Sequence, residues 1–245
     1  MPKEWSELHT AEFLRSLSEA VAGETGTAFF RSLVSWIRPT LGVDYALLGL
    51  LDRENHAVRT VAVEGPDGPL PDLTYDLAGT PCDNVVGQDL CVHVEGVCHL
   101  YPDDSLLRQL GAEGYAGLPL FDASGEALGI LVVLSCRPLS LPAPVWSVLR
   151  IFAVRAATEV ERLRQQEALE RANDELAAFA HVASHDLKEP TRTVVSFAQL
   201  LAQKTEDKLT DDARECLDYV ISGTRRLRDL IDGLESYTGL DSQHS

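Results

Sequence analysis

From Val145 onward glycine and proline nearly vanish and the apolar residues fall into a 4-3 repeat. Sustained over such a length, that repeat dictates helix, and helix with an apolar stripe that must be covered. Leu149, Ala153, Ala156, Val160 and Leu163 keep the spacing, which breaks over Arg164 to Glu167 and resumes in a new phase at Leu169, Ala172 and Leu176. A phase break of this kind marks one long helix with a discontinuity in its packing. The repeat runs on through Ala180, Ala183, Leu187, Pro190, Val194, Phe197 and Leu201. The polar run KTEDKLTD interrupts it, and a second helix restores it with Ala213, Leu217, Val220, Thr224, Leu227, Ile231 and Leu234. Two antiparallel helices of about 28 residues, each ~40 Å long at 1.5 Å per residue, cannot cover a two-sided seam alone. The simplest partner is a second copy, which makes a four-helix bundle in a dimer.

The sequence before Pro142 has a different texture. Residues 10–41 carry apolar positions at helical spacing (Phe13, Leu14, Leu17, Ala20, Val21, then Phe29, Phe30, Leu33, Val34, Ile37), with Gly23 and Gly26 between two helices and Pro39 ending the second. DYALLGLLDRENHAVRTVAVEG reads as a hairpin turning at Asp-Arg-Glu-Asn, and YAGLPLFDASGEALGILVVLSCRPL as another turning at Ala-Ser-Gly-Glu. Between them, residues 66–90 read mostly as loop with a short helix, CVHVEGVCHLYP as strand, and DDSLLRQLGA as a short helix opened by an acidic cap. Hairpin-joined strands with helices at both ends predict an α+β domain on an antiparallel sheet. The expected division is an α+β domain over 1–145, a coiled-coil helix over 146–174, the helical hairpin over 175–240 and a tail over 241–245.

Charge narrows the function classes. The 245 residues hold 21 Lys and Arg against 38 Asp and Glu, a net charge of −17. Phosphate-backbone recognition of nucleic acid and polybasic membrane anchoring both need a basic face that this balance does not supply. No apolar run approaches the ~18–20 residues of a membrane span, and the opening MPKEWSELHTAEF lacks signal-peptide order, so the expected location is the cytoplasm. Five Cys without a repeating framework imply reduced thiols. The few basic residues are concentrated: Lys188, Arg192, Arg225, Arg226 and Arg228 fall on the two bundle helices.

The first bundle helix carries Phe179-Ala-His-Val-Ala-Ser-His-Asp-Leu-Lys-Glu-Pro190. With Ala180 and Ala183 facing the seam, His185 points away from it, an exposed imidazole on a rigid helix. Asp186 beside it can accept from Nδ1–H, fixing the tautomer and leaving Nε2 as a nucleophile. Pro190 removes a backbone donor five residues on and allows bending. Lys188 and Arg192, one and two turns away, can balance a developing phosphoryl charge. His181 is also exposed but is followed by Val182, so it lacks the adjacent acid.

SHDLKEPTRTVVSFAQLL resembles the phosphoacceptor segment of the dimerisation and histidine-phosphotransfer domain of sensor histidine kinases, of the His-Asp-Leu-x-Glu-Pro type found in phytochrome-like kinases. The second helix resembles that family's second bundle helix, and the likeness covers residues 175–240. It implies that His185 is phosphorylated on nitrogen, that Asp186 acts as base or tautomer holder, and that the chain forms a homodimer and passes phosphate to the receiver domain of a response regulator. Glu189 stands where relatives with phosphatase activity carry Thr or Asn, and Thr191 where Leu is usual. After Tyr237 eight residues remain, and no Asp-x-Gly-x-Gly or Walker segment occurs in the 245. The expectation is a chain without a cofactor of its own, served by ATP-Mg on a histidine kinase ATP-binding domain acting in trans or removed.

Gly79-Thr-Pro-Cys82, Cys91, Leu100-Tyr-Pro-Asp-Asp-Ser and the segment 110–129 together resemble a GAF sensor domain over roughly 11–161. The likeness implies six or so antiparallel strands, helices on one face and a small-molecule pocket on the other, with the ligand unspecified. Cys82, Cys91, His93 and Tyr115 are the expected ligand-binding residues. Cys98-His99 has the order of a bilin-attachment site, the mark of a photoreceptor, and Cys82, Cys91, His93, Cys98 and His99 offer a metal or haem alternative without the tight spacing of structural zinc. The plainer expectation is that Cys98, Cys136 and Cys216 are small buried hydrophobes. A sensory or dimerisation module that never carries phosphate is the other class of function.

Overall fold

A computed structural model describes residues 23–86, 90–205 and 210–241. The first expected helix, around Phe13 to Val21, lies outside them. The chain divides into two compact units, Met1–Gln165 and Gln166–Ser245.

In the first unit, helix α1 (Gly26–Leu41) buries Phe29, Phe30, Leu33, Val34 and Ile37, one stripe at three- and four-residue spacing. Pro39 does not end it. The helix runs two residues further and stops at Gly42, whose φ of 67° suits a left-handed cap that closes onto the Arg38 carbonyl. Strands β1 (Tyr45–Asp52) and β2 (Ala57–Gly65) form the first hairpin, and β6 (Gly114–Phe121) and β7 (Ala127–Ser135) the second. With β3 (Gly68–Pro69), β4 (Thr74–Asp76) and β5 (Cys91–His93) they make a seven-stranded sheet of order β3-β2-β1-β7-β6-β5, with β4 also on β2. All pairings are antiparallel.

Alternation along the strands builds two cores, one on each side of the sheet. On one side Ala46, Leu48, Ala62, Ala116, Leu118, Leu120, Leu131 and Val133 pack with α1 and with the start of α5 (Ala143–Lys204). On the other, Leu47, Leu51, Val58, Val63, Tyr115, Ile130, Val132 and Leu134 pack with α2 (Pro81–Val86), α3 (Val97–Leu100) and α4 (Ser105–Leu110) through Cys82, Val85, Val97 and Leu107. The central strand β7 is buried along its whole length, as a strand covered on both faces must be.

Two expectations change here. CVHVEGVCHLYP is strand only over Cys91–His93; Gly96, with φ of 73°, turns the chain into α3. The repeat Leu149, Ala153, Ala156, Val160 is not an open coiled-coil seam in this stretch, because all four are buried in the sensor core against α1 and the sheet. A 4-3 stripe demands an apolar cover without saying which surface provides it. Asp104 caps α4 as expected, accepting from the N–H groups of Leu106 and Leu107.

The second unit holds the remainder of α5, unbroken through Pro190, and α6 (Asp211–Asp241). Its buried row on α5 is Ala180, Ser184, Thr191 and Ala198, with Ala177, Lys188, Val195 and Ala202 half-buried among them. Ala180 is buried and Ala183 half-buried as the seam predicts, and beyond them the row packed within the single chain runs one residue after the expected positions. Leu176, Phe179, Leu187, Val194, Phe197 and Leu201 form a second stripe, exposed on the single chain. The helix is apolar over an arc wider than one contact, so the hairpin and the uncovered stripe share it. No helix among the described residues is long and apolar enough to cross a membrane.

Candidate functional site

His185 stands on the solvent side of α5, with its side chain 76% exposed. Its Nδ1 lies 3.3 Å from Asp186 Oδ1, a separation at which the carboxylate accepts from Nδ1–H and Nε2 is left with its lone pair outward. An i, i+1 pair on a helix seldom meets face to face; here the two side chains fold toward each other outside the bundle. His185 opens on a groove of ≈ 1030 Å³ between the two helices, whose lining includes Lys188, Glu189, Arg192, Arg225, Arg228 and Asp232. Four cations against two carboxylates give the groove a positive balance inside an acidic protein. Lys188 Nζ reaches across to Asp232 Oδ1 at 2.9 Å.

Pro190 leaves no backbone N–H for the Asp186 carbonyl, the place where an α-helix bond would otherwise close. One residue on, Thr191 is buried, and its hydroxyl donates to the Leu187 carbonyl at 2.6 Å. A leucine there would supply packing but no such bond. Ser184, directly before His185, is fully buried with its hydroxyl unpartnered among the described residues. His181 is exposed and has no ion pair of the His185 kind among the described residues.

The expected pocket residues of the sensor unit fall into two neighbouring hydrogen-bonded groups, a buried one around Cys82 and a part-buried one around His93. Tyr115 donates to Cys82 Sγ at 3.3 Å, and Tyr75 Oη lies 3.4 Å from the same sulfur. The His93 ring stands 6.1 Å from that of Tyr115, and Nε2 lies 3.4 Å from Cys91 Sγ and 3.3 Å from Tyr101 Oη. Asn84 donates to Tyr101 Oη at 2.7 Å. Burial pushes the Cys82 thiol up to about 11 and raises the Tyr75 and Tyr115 phenols, while it lowers His93. Cys82, the two phenols and the His93 imidazole are therefore held neutral. Gly117 makes the arrangement possible, since a Cβ there would collide with the Tyr115 hydroxyl and with Val85. Sequence reading missed Tyr75, Tyr101 and Asn84; only their place opposite Cys82 and His93 marks them.

The cysteines divide otherwise than expected. Cys136 and Cys216 are exposed rather than buried. Cys136 follows the end of β7 and its thiol donates to the Leu110 carbonyl, while Cys216 sits on an open face of α6. Cys98 is half-buried and donates to the Ala112 carbonyl at 2.8 Å, and His99 is exposed. Among the described residues no group of three or more His, Cys, Asp or Glu is placed to hold a metal ion.

Residues 26–160 match the GAF domain family, more than half of the chain. The chain belongs to the GAF family. Residues 175–243 match the His Kinase A (phospho-acceptor) domain, so a GAF domain is joined in one chain to a phospho-acceptor domain of the two-component class. The chain is 36% identical over 92 residues to the phytochrome-like protein Cph1 of Synechocystis, which covers 38% of this chain and 12% of that protein. It is 40% identical over 90 residues to cyanobacterial phytochrome A of Nostoc, covering 37% and 12%. The chain thus spans about an eighth of the length of these relatives. The GAF domain of a phosphoenolpyruvate-protein phosphotransferase from Coxiella burnetii superposes with a TM-score of 0.56 at 19% identity, over 66% of this chain and 99% of that one. The likeness establishes the fold of this unit.

Proposed function

We propose that this chain is the sensory and phospho-acceptor part of a cytoplasmic two-component sensor, in which the GAF domain governs phosphorylation of His185 and its relay to the aspartate of a response regulator. The observation that carries the reading is the exposed His185 imidazole, paired through Nδ1 with Asp186 and opening on a cation-lined groove. Asp186 holds the reactive tautomer. The Nε2 lone pair attacks the γ-phosphorus of ATP, the bond to the bridging oxygen breaks with its electrons leaving on ADP, and the positive charge gained by the ring is shared with Asp186 through the Nδ1 proton. In the second step a receiver aspartate attacks the same phosphorus and the Nε2–P bond breaks. Lys188 and Arg192 balance the phosphoryl charge in both.

ATP-Mg belongs on a histidine kinase ATP-binding domain, and the GAF ligand lies on the side of Cys82, Cys91, His93 and Tyr115. Two chains pair through the exposed stripe of α5 and α6, forming the homodimer that the 4-3 repeat requires. Pro190 supplies a point of bending beside His185, and the phase break at Arg164 to Glu167 is where two packings of similar energy interconvert. Glu189 stands without the amide or hydroxyl that would place a water for phosphatase action.

The test is transfer of label from ATP by an ATP-binding domain of a histidine kinase. We expect label on the wild-type chain and none on His185→Gln; label retained on that variant removes the assignment. Asp186→Asn is expected to slow labelling on the order of 100-fold, the contribution of a positioned acid-base group, with the oligomeric state unchanged.

A further inference from the structure

A lysine three residues after a histidine lies on the same face of a helix, and Lys188 and His185 line the same groove. The Lys188 ammonium is engaged by Asp232 of α6, 2.9 Å away. Asp232 belongs to none of the sequence motifs around the histidine; the fold of the hairpin alone brings it there. Of the two carboxylates in the groove, it is the one paired across to the lysine nearest His185 in sequence. The side chains of the pair are 35% and 54% exposed, and ion pairs so open to water are held weakly. A phosphoryl group brings more charge than a carboxylate and three acceptor oxygens. In direct competition for one ammonium it displaces Asp232.

We propose that Asp232 restrains phosphoryl transfer at His185: it holds the Lys188 ammonium across the groove until a phosphoryl group approaching or bonded to Nε2 takes that ammonium over. The inference rests on the reading of His185 as phospho-acceptor and adds a regulatory element to it. The Lys188–Asp232 bridge ties α5 to α6 in the unphosphorylated hairpin and opens in the phosphorylated one. Removing the Asp232 charge weakens the hold on the lysine and favours transfer.

Phosphoramidate tests this without any ATP-binding domain. The imidazole nitrogen attacks its phosphorus, the P–N bond of the reagent breaks, and ammonia leaves as the new N–P bond forms. His181, exposed one turn earlier on the same helix, takes phosphate from the same reagent and serves as internal reference. The measurement is the ratio of initial phosphorylation rates at His185 and His181, resolved by mass spectrometry on the full chain. Asp232→Asn should raise the ratio about two- to fivefold, the factor that an exposed ion pair commands. Lys188→Gln should lower it, Asp232→Asn should add nothing in the Lys188→Gln background, and Asp232→Glu should return the wild-type ratio. An unchanged or lowered ratio in Asp232→Asn, or the same rise without Lys188, overturns the proposal. Circular dichroism at 222 nm checks that each variant keeps its helix. Label transfer from ATP to His185→Gln decides the phospho-acceptor reading separately, so either idea can fail while the other stands.

Discussion

Cys82 shows how burial alone fixes the behaviour of a side chain. Its thiol, ordinarily near 9.0, is pushed up to about 11 because its surroundings solvate the thiolate poorly, and bonds from Tyr115 and Tyr75 recover only part of that cost. The folded state therefore retains a proton that the unfolded chain gives up, and stability must fall as pH rises. The contribution is fully present below pH 9.0 and is lost as pH climbs through about 11; two pH units correspond to about 3 kcal/mol. Urea unfolding of the sensor unit between pH 8 and 11 should show the decline, and Cys82→Ala should flatten it. A decline unchanged in that variant would assign it to other groups. The same residue marks a limit of sequence reading: Gly79-Thr-Pro-Cys82 singles out the cysteine, but of the two phenols that meet its sulfur Tyr75 lies seven residues before it on β4 and Tyr115 comes from β6, 33 residues on. His185 and Asp186 are the opposite case, legible because their juxtaposition is local to one turn of helix.

At the scale of the element, the stretch of α5 around His185 is not optimised for stability. Ser184 buries a hydroxyl with no partner among the described residues, directly before the histidine. Such a group costs about 1–3 kcal/mol of desolvation, so Ser184→Ala should stabilise the hairpin by roughly 1 kcal/mol in denaturant melts; a loss of stability would mean that the hydroxyl finds a partner in solution. Pro190 and Thr191 continue the theme, the first deleting a backbone bond and the second spending its hydroxyl on the carbonyl of Leu187. Pattern reading located this helix and its polar side well. Beyond Ala183 the row buried within one chain runs one residue after the expected seam, because apolar residues cover more of the circumference than one neighbour can use, and the expected positions form the stripe left open. Pattern reading also put the end of α1 at Pro39, where Gly42, the residue free to adopt the left-handed turn, makes the stop.

For the whole molecule the central question is what covers the second apolar stripe. Phe179 and Leu230, 71% and 72% exposed, are large side chains that a hairpin in isolation leaves in water, and a second copy covers them in the bundle proposed above. Phe179→Glu together with Leu230→Glu should convert a dimer to a monomer in sedimentation velocity, with the GAF unit still folded; a dimer that persists would place its interface elsewhere. By itself the sequence determined the features that depend on near neighbours: the hairpins, the long helix, the Asp104 cap, the exposed histidine beside its acid, and the demand for a partner. Tertiary structure decided the rest. It gave the first stretch of the 4-3 repeat to the sensor core, gathered Tyr75 and Tyr115 on Cys82 and set the His93 ring against Tyr101 and Tyr115, and set Asp232 against Lys188. The physical reason is that periodicity records which residues shun water, whereas the identity of the surface that shields them, and of the polar group that meets them there, is fixed only when distant segments pack.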